Sequence, residues 1–328
     1  MQLDFHYYTI YTLSSAAGFS PEESEIIAYA SEYVDDSIES EPINLQNGQI
    51  FDTTCTAYAG IKSFNWDIQK KIYMPFHYLP NLIRREHPEE FSYTVKPSTE
   101  DQNLLSNKLF NVAIKETHKN FRLIKIGIAL HTIADTFSHQ RFSGEYNKIN
   151  RVSDIQYYKY CWGKRFTDSF FNFFYPPIGH QKVLLYPDYP YALWSYQDSN
   201  KNTIIRNNTT IFLCAVGQLL KLLKQASHVE TTKDIGIIPE IVNLFKCYDT
   251  LENRCSLWQQ TFNIPKYDPL KWRKMALEGN VEWSRVSKEK RNKMLSAVTP
   301  KEDFDNSLWA LFHCAAAQQR ALVLDWIN

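Results

Sequence analysis

The densest chemistry in this sequence lies in Ile126-Gly-Ile-Ala-Leu-His131-Thr-Ile-Ala-Asp135-Thr-Phe-Ser-His139-Gln140. Helical positions four apart are rotated by only about 40° and rise about 6 Å. His131, Asp135 and His139 therefore fall on one stripe. The other faces carry Ile124, Ile128, Leu130, Ile133, Ala134 and Phe137, so the helix is internal. A buried His–Asp–His line must be neutralised and hydrogen-bonded, or must bind cations. The outer histidines, about 12 Å apart along the axis, are too distant for one ion. With Asp135 between them they suit two ions about 3.5–4 Å apart. A plainer reading is a core histidine paired with Asp135 and no metal.

Further candidates lie elsewhere in the chain. His6 comes two residues after Asp4, and Asp35 and Asp36 close the apolar run ending Ala30-Ser-Glu-Tyr-Val-Asp-Asp36. Either could face inward, since neighbouring helical residues point about 100° apart. His77 lies in Met74-Pro-Phe-His-Tyr-Leu-Pro80, which has no packing need for a polar ring. His180 follows Gly179, and Asp188 sits in Tyr186-Pro-Asp-Tyr-Pro190. Gly179 lets the backbone approach closely, and the prolines at 176, 177, 187 and 190 stiffen the loop on both sides. His87, His118 and His228 sit among polar residues and are expected at the surface, and His313 reads as a satisfied core histidine.

In order and setting, these motifs resemble the zinc-dependent phospholipase C and single-strand-specific zinc nuclease superfamily over roughly the first 190 residues. Ala30-Ser-Glu-Tyr-Val-Asp35 is similar to the nucleases' Ala-Ser-Trp-Ala-Asp, whose Asp bridges metals. Pro75-Phe-His77-Tyr is similar to their Pro-Trp-His-Tyr, and Leu130-His131-x3-Asp135 to their central Leu-His-x3-Asp helix. The resemblance implies an all-α bundle with long loops and a cluster of two or three zinc ions. His6, Asp35, His77, His131, Asp135, His139, His180 and Asp188 would be the ligands. Manganese or iron also suit nitrogen and oxygen donors without thiolates. Such a centre would activate water to hydrolyse a small phosphate ester: a nucleotide, a phospholipid head group or an oligonucleotide. The alternative is a non-catalytic helical scaffold with a structural metal site.

The sequence departs from that superfamily in three places. The superfamily uses the amino group of an N-terminal Trp as a ligand; this sequence opens with Met1 and shows no signal peptide. That ligand is expected to be missing or replaced, with Asp4 and His6 as the replacements. Asp4 and Asp36 are the candidate catalytic carboxylates. His139 follows Asp135 at shorter spacing than the superfamily's next histidine, and His180 and Asp188 are further apart than its final pair. With the opening Asp4-Phe-His-Tyr-Tyr8, this resembles a divergent cytosolic branch of bacterial proteins.

Composition supports a small substrate over a polymer. The 328 residues carry 36 basic and 36 acidic side chains, and this neutral balance disfavours a coat for nucleic acid or anionic membrane. No two of the ten glycines are close enough for a phosphate loop or dinucleotide fingerprint. HExxH, GxSxG and an adjacent His-Asp pair are absent too. The six cysteines form no CxxC pair, and no apolar stretch is long enough to span a bilayer. The expected location is the cytoplasm.

The elements that must position these residues read as mostly helical. Helices are predicted at 6–17, from Pro21 to about Asp36 behind a Ser20/Glu23 capping box, at 66–73 and at 81–86. More helices are predicted across 101–138 with a break near His118, and at 204–227, 237–249, 251–262, 269–278 and 303–327. Residues 37–65 and 142–200 read as loops, the latter with one strand around Val183–Leu185. The basic run 285–293 reads as a solvated helix face. Two regions are expected, 1–195 with the metal site and 196–328 packed on it. Tyr7, Tyr8, Tyr29 and Tyr33 are candidates for core or pocket lining.

Overall fold

The computed structural model describes residues 1–39, 42–45, 47–58, 65–99, 104–158, 177–227, 236–283, 288–295 and 297–328. His228, Pro176 and Arg285 lie outside them. The described chain is mostly helical. Helix α1 is π-helical over Asp4–Thr9 and α-helical over Ile10–Ala16, and Gly18 stops it at φ 98°. Helix α2, Pro21–Asp36, opens with the expected capping box: Ser20 Oγ accepts from the Glu23 N–H, and Glu23 Oε2 from the Ser20 N–H. Helix α3 comprises Trp66–Ile68, a π-helical Gln69–Tyr73 and Met74–Phe76. Helices α4, Leu104–Ile114, and α5, Lys119–Ser138, break at His118, whose ring caps α5. The rest are α6 (Asn208–Ser227), α7 (Ile238–Lys246), α8 (Leu251–Phe262), α9 (Lys271–Ala276), α10 (Lys288–Leu295) and α11 (Leu308–Ile327).

Three small antiparallel sheets accompany the helices: β1 (Ile43–Asn44) with β2 (Ile50–Phe51), β3 (Ser153–Tyr157) with β4 (Leu193–Gln197) and β5 (Thr203–Asn207), and β6 (Leu277–Glu278) with β7 (Thr299–Pro300). The strand expected around Val183–Leu185 is instead a 3-10 turn, Gln181–Val183, followed by Leu184 at φ 52°. The turn frees the Leu184 carbonyl to accept from the His180 ring. Residues 81–86 form bends and turns rather than a helix; Pro80 and Pro88 crowd too short a segment for helix nucleation. Residues 204–207, expected to open a helix, instead belong to β5 and pair with β4, where Thr203, Ile204 and Ile205 favour a strand.

Helix α5 is central, packing against α2, α4, α6 and α11. One apolar core runs from Met1 to Ile327 through both halves of the sequence. Gly127 sets the α2–α5 spacing. A Cβ there would stand 2.7 Å from the Ala30 Cβ and would clash with the Ile27 carbonyl. The backbones therefore touch one turn before His131, which brings the end of α2 against the stripe on α5. Tyr7, Tyr8, Tyr29 and Tyr33 are buried in the core. No helix among the described residues is long and apolar enough to cross a membrane.

Candidate metal centre

The stripe on α5 is where the separate candidates meet. Asp135, 1% exposed, is surrounded by nitrogens. Its Oδ1 lies 2.7 Å from the Met1 α-amine and 3.2 Å from His6 Nε2. Its Oδ2 lies 3.2 Å from His77 Nδ1, 3.4 Å from His131 Nε2 and 3.6 Å from His139 Nδ1. Asp35 approaches from α2, with Oδ1 3.8 Å from His77 Nδ1 and 3.9 Å from His131 Nε2. On the other side Asp188 Oδ1 lies 3.3 Å from His139 Nε2 and 3.2 Å from the Met1 amine, and its Oδ2 3.3 Å from His180 Nε2. Among the described residues, three groups have donor atoms mutually close enough to hold an ion: His6, Asp35 and His131; His77, His131 and Asp135; His139, His180 and Asp188.

Several rings are oriented from behind. His77 Nε2 donates to the Thr56 carbonyl at 2.9 Å, His139 Nδ1 to the His77 carbonyl at 2.8 Å, and His180 Nδ1 to the Leu184 carbonyl at 2.7 Å. A carbonyl only accepts, so each contact fixes the tautomer and leaves the other ring nitrogen aimed at the carboxylates. His6 and His131 stack at 3.8 Å, and both His6 nitrogens and His131 Nδ1 are buried without a hydrogen-bond partner.

The charges are set by this crowding. Burial opposes ionisation of Asp135, but His139, the Met1 amine, His131 and His6 hold its carboxyl well below the usual range. Asp188 is likewise held low against burial by the amine, His180 and His139. Burial would lower the Met1 amine, yet Asp135, Asp188 and Asp35 raise it to about 11. Burial lowers His6 to about 3, reinforced by His131 and the amine, and lowers His180 to about 4 despite Asp188. Burial thus works against the charged form of His180, whose Nε2 stands 3.3 Å from Asp188 Oδ2.

Local structure explains why these side chains converge. The π-turns at Asp4–Thr9 and Gln69–Tyr73 each admit an extra residue, which rotates the downstream side chains to a new direction; His6 lies in the first and His77 just beyond the second. His139 is the C-cap of α5 rather than a residue of its interior. It is held there by buried Arg206 of β5, whose Nη2 donates to the Ser138 carbonyl at 2.8 Å. Tyr78 stacks on the His139 ring at 4.6 Å, and its hydroxyl accepts from the His180 N–H. Only glycine fits at 179, where φ is +52° and a Cβ would overlap the Tyr78 hydroxyl. Asn208 ties down the Asp188 turn by donating to the carbonyls of Tyr186 and Tyr189.

All eight expected ligands lie in this cluster, but the two expected catalytic carboxylates do not join it. Asp4 points to Arg254, 2.7 Å away, so it does not replace the amine. The nitrogen beside Asp135 and Asp188 is the Met1 α-amine. Sequence reasoning missed this because it weighs the side chain at position 1, whereas the donor is backbone. Asp36 turns aside to accept from the Tyr267 hydroxyl at 2.6 Å, so Asp35 is the one facing the cluster. Both line a cavity of about 590 Å³ with Ile38, Leu270, Arg273 and Glu282. Asp35, its side chain 37% exposed, is where the cluster meets this cleft. His118 is exposed as expected, while His87 is half-buried. His313 is buried, its Nδ1 accepting from the Thr54 N–H and its Nε2 unpartnered.

The fold and site define a mostly helical protein with a buried amine–histidine–aspartate cluster able to hold metal ions. The chain belongs to DUF6765, a family of unknown function that it matches over residues 1–327. No curated protein and no solved structure matches it.

Proposed function

We propose that the cluster holds two or three divalent ions, zinc or else manganese or iron, and that the protein is a metal-dependent phosphoesterase with a phospholipase C/nuclease-like bundle. The His180–Asp188 contact carries the metal reading. The His180 ring, with Nδ1 committed to the Leu184 carbonyl, aims Nε2 at a carboxylate 3.3 Å away, an arrangement that a cation between them makes favourable. The orphaned nitrogens of His6 and His131 point the same way. Nitrogen and oxygen donors without thiolate suit these metals. The Met1 amine is also the donor that the superfamily resemblance calls for.

His139, His180 and Asp188 would hold one ion; the other two groups share His131, whose ring would serve one ion among their donors, and the Met1 amine lies between Asp135 and Asp188. When bound, such ions lower the pKa of water and neutralise phosphate oxygens. The chain contributes orientation: the carbonyls of Thr56, His77 and Leu184 fix the rings, and Asp35 presents its carboxylate to both cluster and cleft. Asp35, Asp36 and Glu282 outnumber Arg273 on the cleft wall, which favours a compact ester over a chain of phosphates.

The test is metal analysis of the purified protein together with hydrolysis of a panel of phosphomonoesters and phosphodiesters. Two or three equivalents of metal and chelator-sensitive hydrolysis are expected. Metal without hydrolysis of any ester would support a structural site, and no metal under zinc-replete conditions would remove the proposal.

A further inference from the structure

Met1 and His6 can reach the cluster only if the first turn of α1 is held in place, and the grip comes from the far end of the sequence. Arg254 of α8 is 2% exposed. Its Nε donates to Asp4 Oδ2 at 2.7 Å, one Nη to the Gln2 side-chain carbonyl at 2.6 Å, and the other to the Asp249 carbonyl at 2.8 Å. Its guanidinium lies 5.2 Å over the ring of Tyr191, three residues beyond Asp188. Asp4 Oδ1 has no hydrogen-bond partner, so this carboxylate relies on the guanidinium. Gln2 is bonded to Met1, and the Gln2 carbonyl accepts from the N–H groups of Phe5 and His6.

We infer that Arg254 is a positioning residue of the metal centre: by gripping Gln2 and Asp4 it holds the Met1 amine and His6 at the cluster. This rests on the metal reading. The geometry suits arginine because a planar fork satisfies two differently placed oxygens at once, which an ammonium does not. The guanidinium bonds to Gln2, Asp4 and Asp249 rather than to a cluster donor, so its influence passes through the backbone of residues 2–6.

The inference is tested with Arg254→Met, Arg254→Lys and Asp4→Asn, the last two preserving charge or shape so that a folded variant is available. Leu219→Ala, a core truncation in α6, serves as a control for destabilisation alone. Two quantities are measured on the full chain: the acylation rate of the Met1 amine in metal-free protein, relative to the unfolded chain, and zinc stoichiometry and affinity by chelator competition. Faster acylation by about tenfold or more, with zinc affinity at least about tenfold weaker or one equivalent lost, is expected in the clamp variants. Leu219→Ala should move neither. Unchanged acylation, or faster acylation with unchanged zinc binding, overturns the inference. If wild-type protein binds no zinc, the metal reading falls, and that result is separate from the acylation comparison.

Discussion

Two buried polar clusters in this protein are built on opposite principles. Around Arg273 of α9, donors and acceptors complement one another: Nε donates to the Tyr33 hydroxyl, Nη1 to the Val281 carbonyl and Nη2 to Glu39, while Trp309 Nε1 donates to the same Tyr33 oxygen. At the α5 stripe the complement fails, with lone pairs of His180 and rings of His6 and His131 meeting carboxylates or each other. A buried polar group left unsatisfied costs about 1–3 kcal/mol. The Arg273 guanidinium is therefore matched by oxygens of the chain itself, and the α5 stripe becomes favourable with cations added.

The largest expected effect separates the two clusters by mutation. Asp135→Asn should weaken metal binding by more than about 100-fold, since changes even to outer partners of ligands cost about 10–100-fold. Arg273→Met should keep its metal but lose about 3–5 kcal/mol of stability, as expected when one member of a buried ion pair is removed. Metal content and denaturant unfolding of both variants check this. Equal metal loss in the two would erase the distinction.

Next in size is the α-amine. A short peptide fused ahead of Met1 moves the charge away from Asp135 and Asp188, and should remove at least one metal equivalent while leaving helical content unchanged by circular dichroism. Gly127→Ala ranks third. Overpacking at a helix crossing costs about 1–3 kcal/mol, and pushing α2 from α5 should draw Asp35 away from His77 and His131. Weaker metal binding together with a lowered melting temperature is the expected pair of observations.

The last comparison is a pH dependence outside the metal centre, read on stability with metal removed. Burial, with Arg273 adding to it, lowers His313 to about 3, against about 6.5 in an unfolded chain. Between those values the unfolded state binds the extra proton, so stability falls as pH drops from about 6.5 toward 3, by up to about 1.4 kcal/mol per pH unit. His313→Asn retains an acceptor for the Thr54 N–H and should flatten that slope in chelated protein.

Much of this was legible because helical period and capping are local. The Ser20–Glu23 box, the break at His118 and the stripe on α5 arise from spacings of three and four. The eight residues that converge on the stripe were readable because each is polar in a segment that does not need polarity for packing. Distant contacts decided the parts that sequence patterns did not show. The choice of Asp35 over Asp36 depends on Tyr267, 231 residues away, and Asp4 is claimed by Arg254. The Val183–Leu185 turn is apolar enough to read as a strand, but the loop bends there to aim His180.

The Asp4–Arg254 contact spans 250 residues, which gives it a meaning in time. At synthesis rates of about 5–20 residues per second, Asp4 is added to the chain roughly 12–50 s before Arg254. Throughout that interval the first turn of α1 has no guanidinium to hold it, although its histidine and aspartate partners through Asp188 are already being completed. The opening segment is thus synthesised well before the residue that fastens it. A truncation ending before α8 should yield a chain whose first residues remain open to proteases.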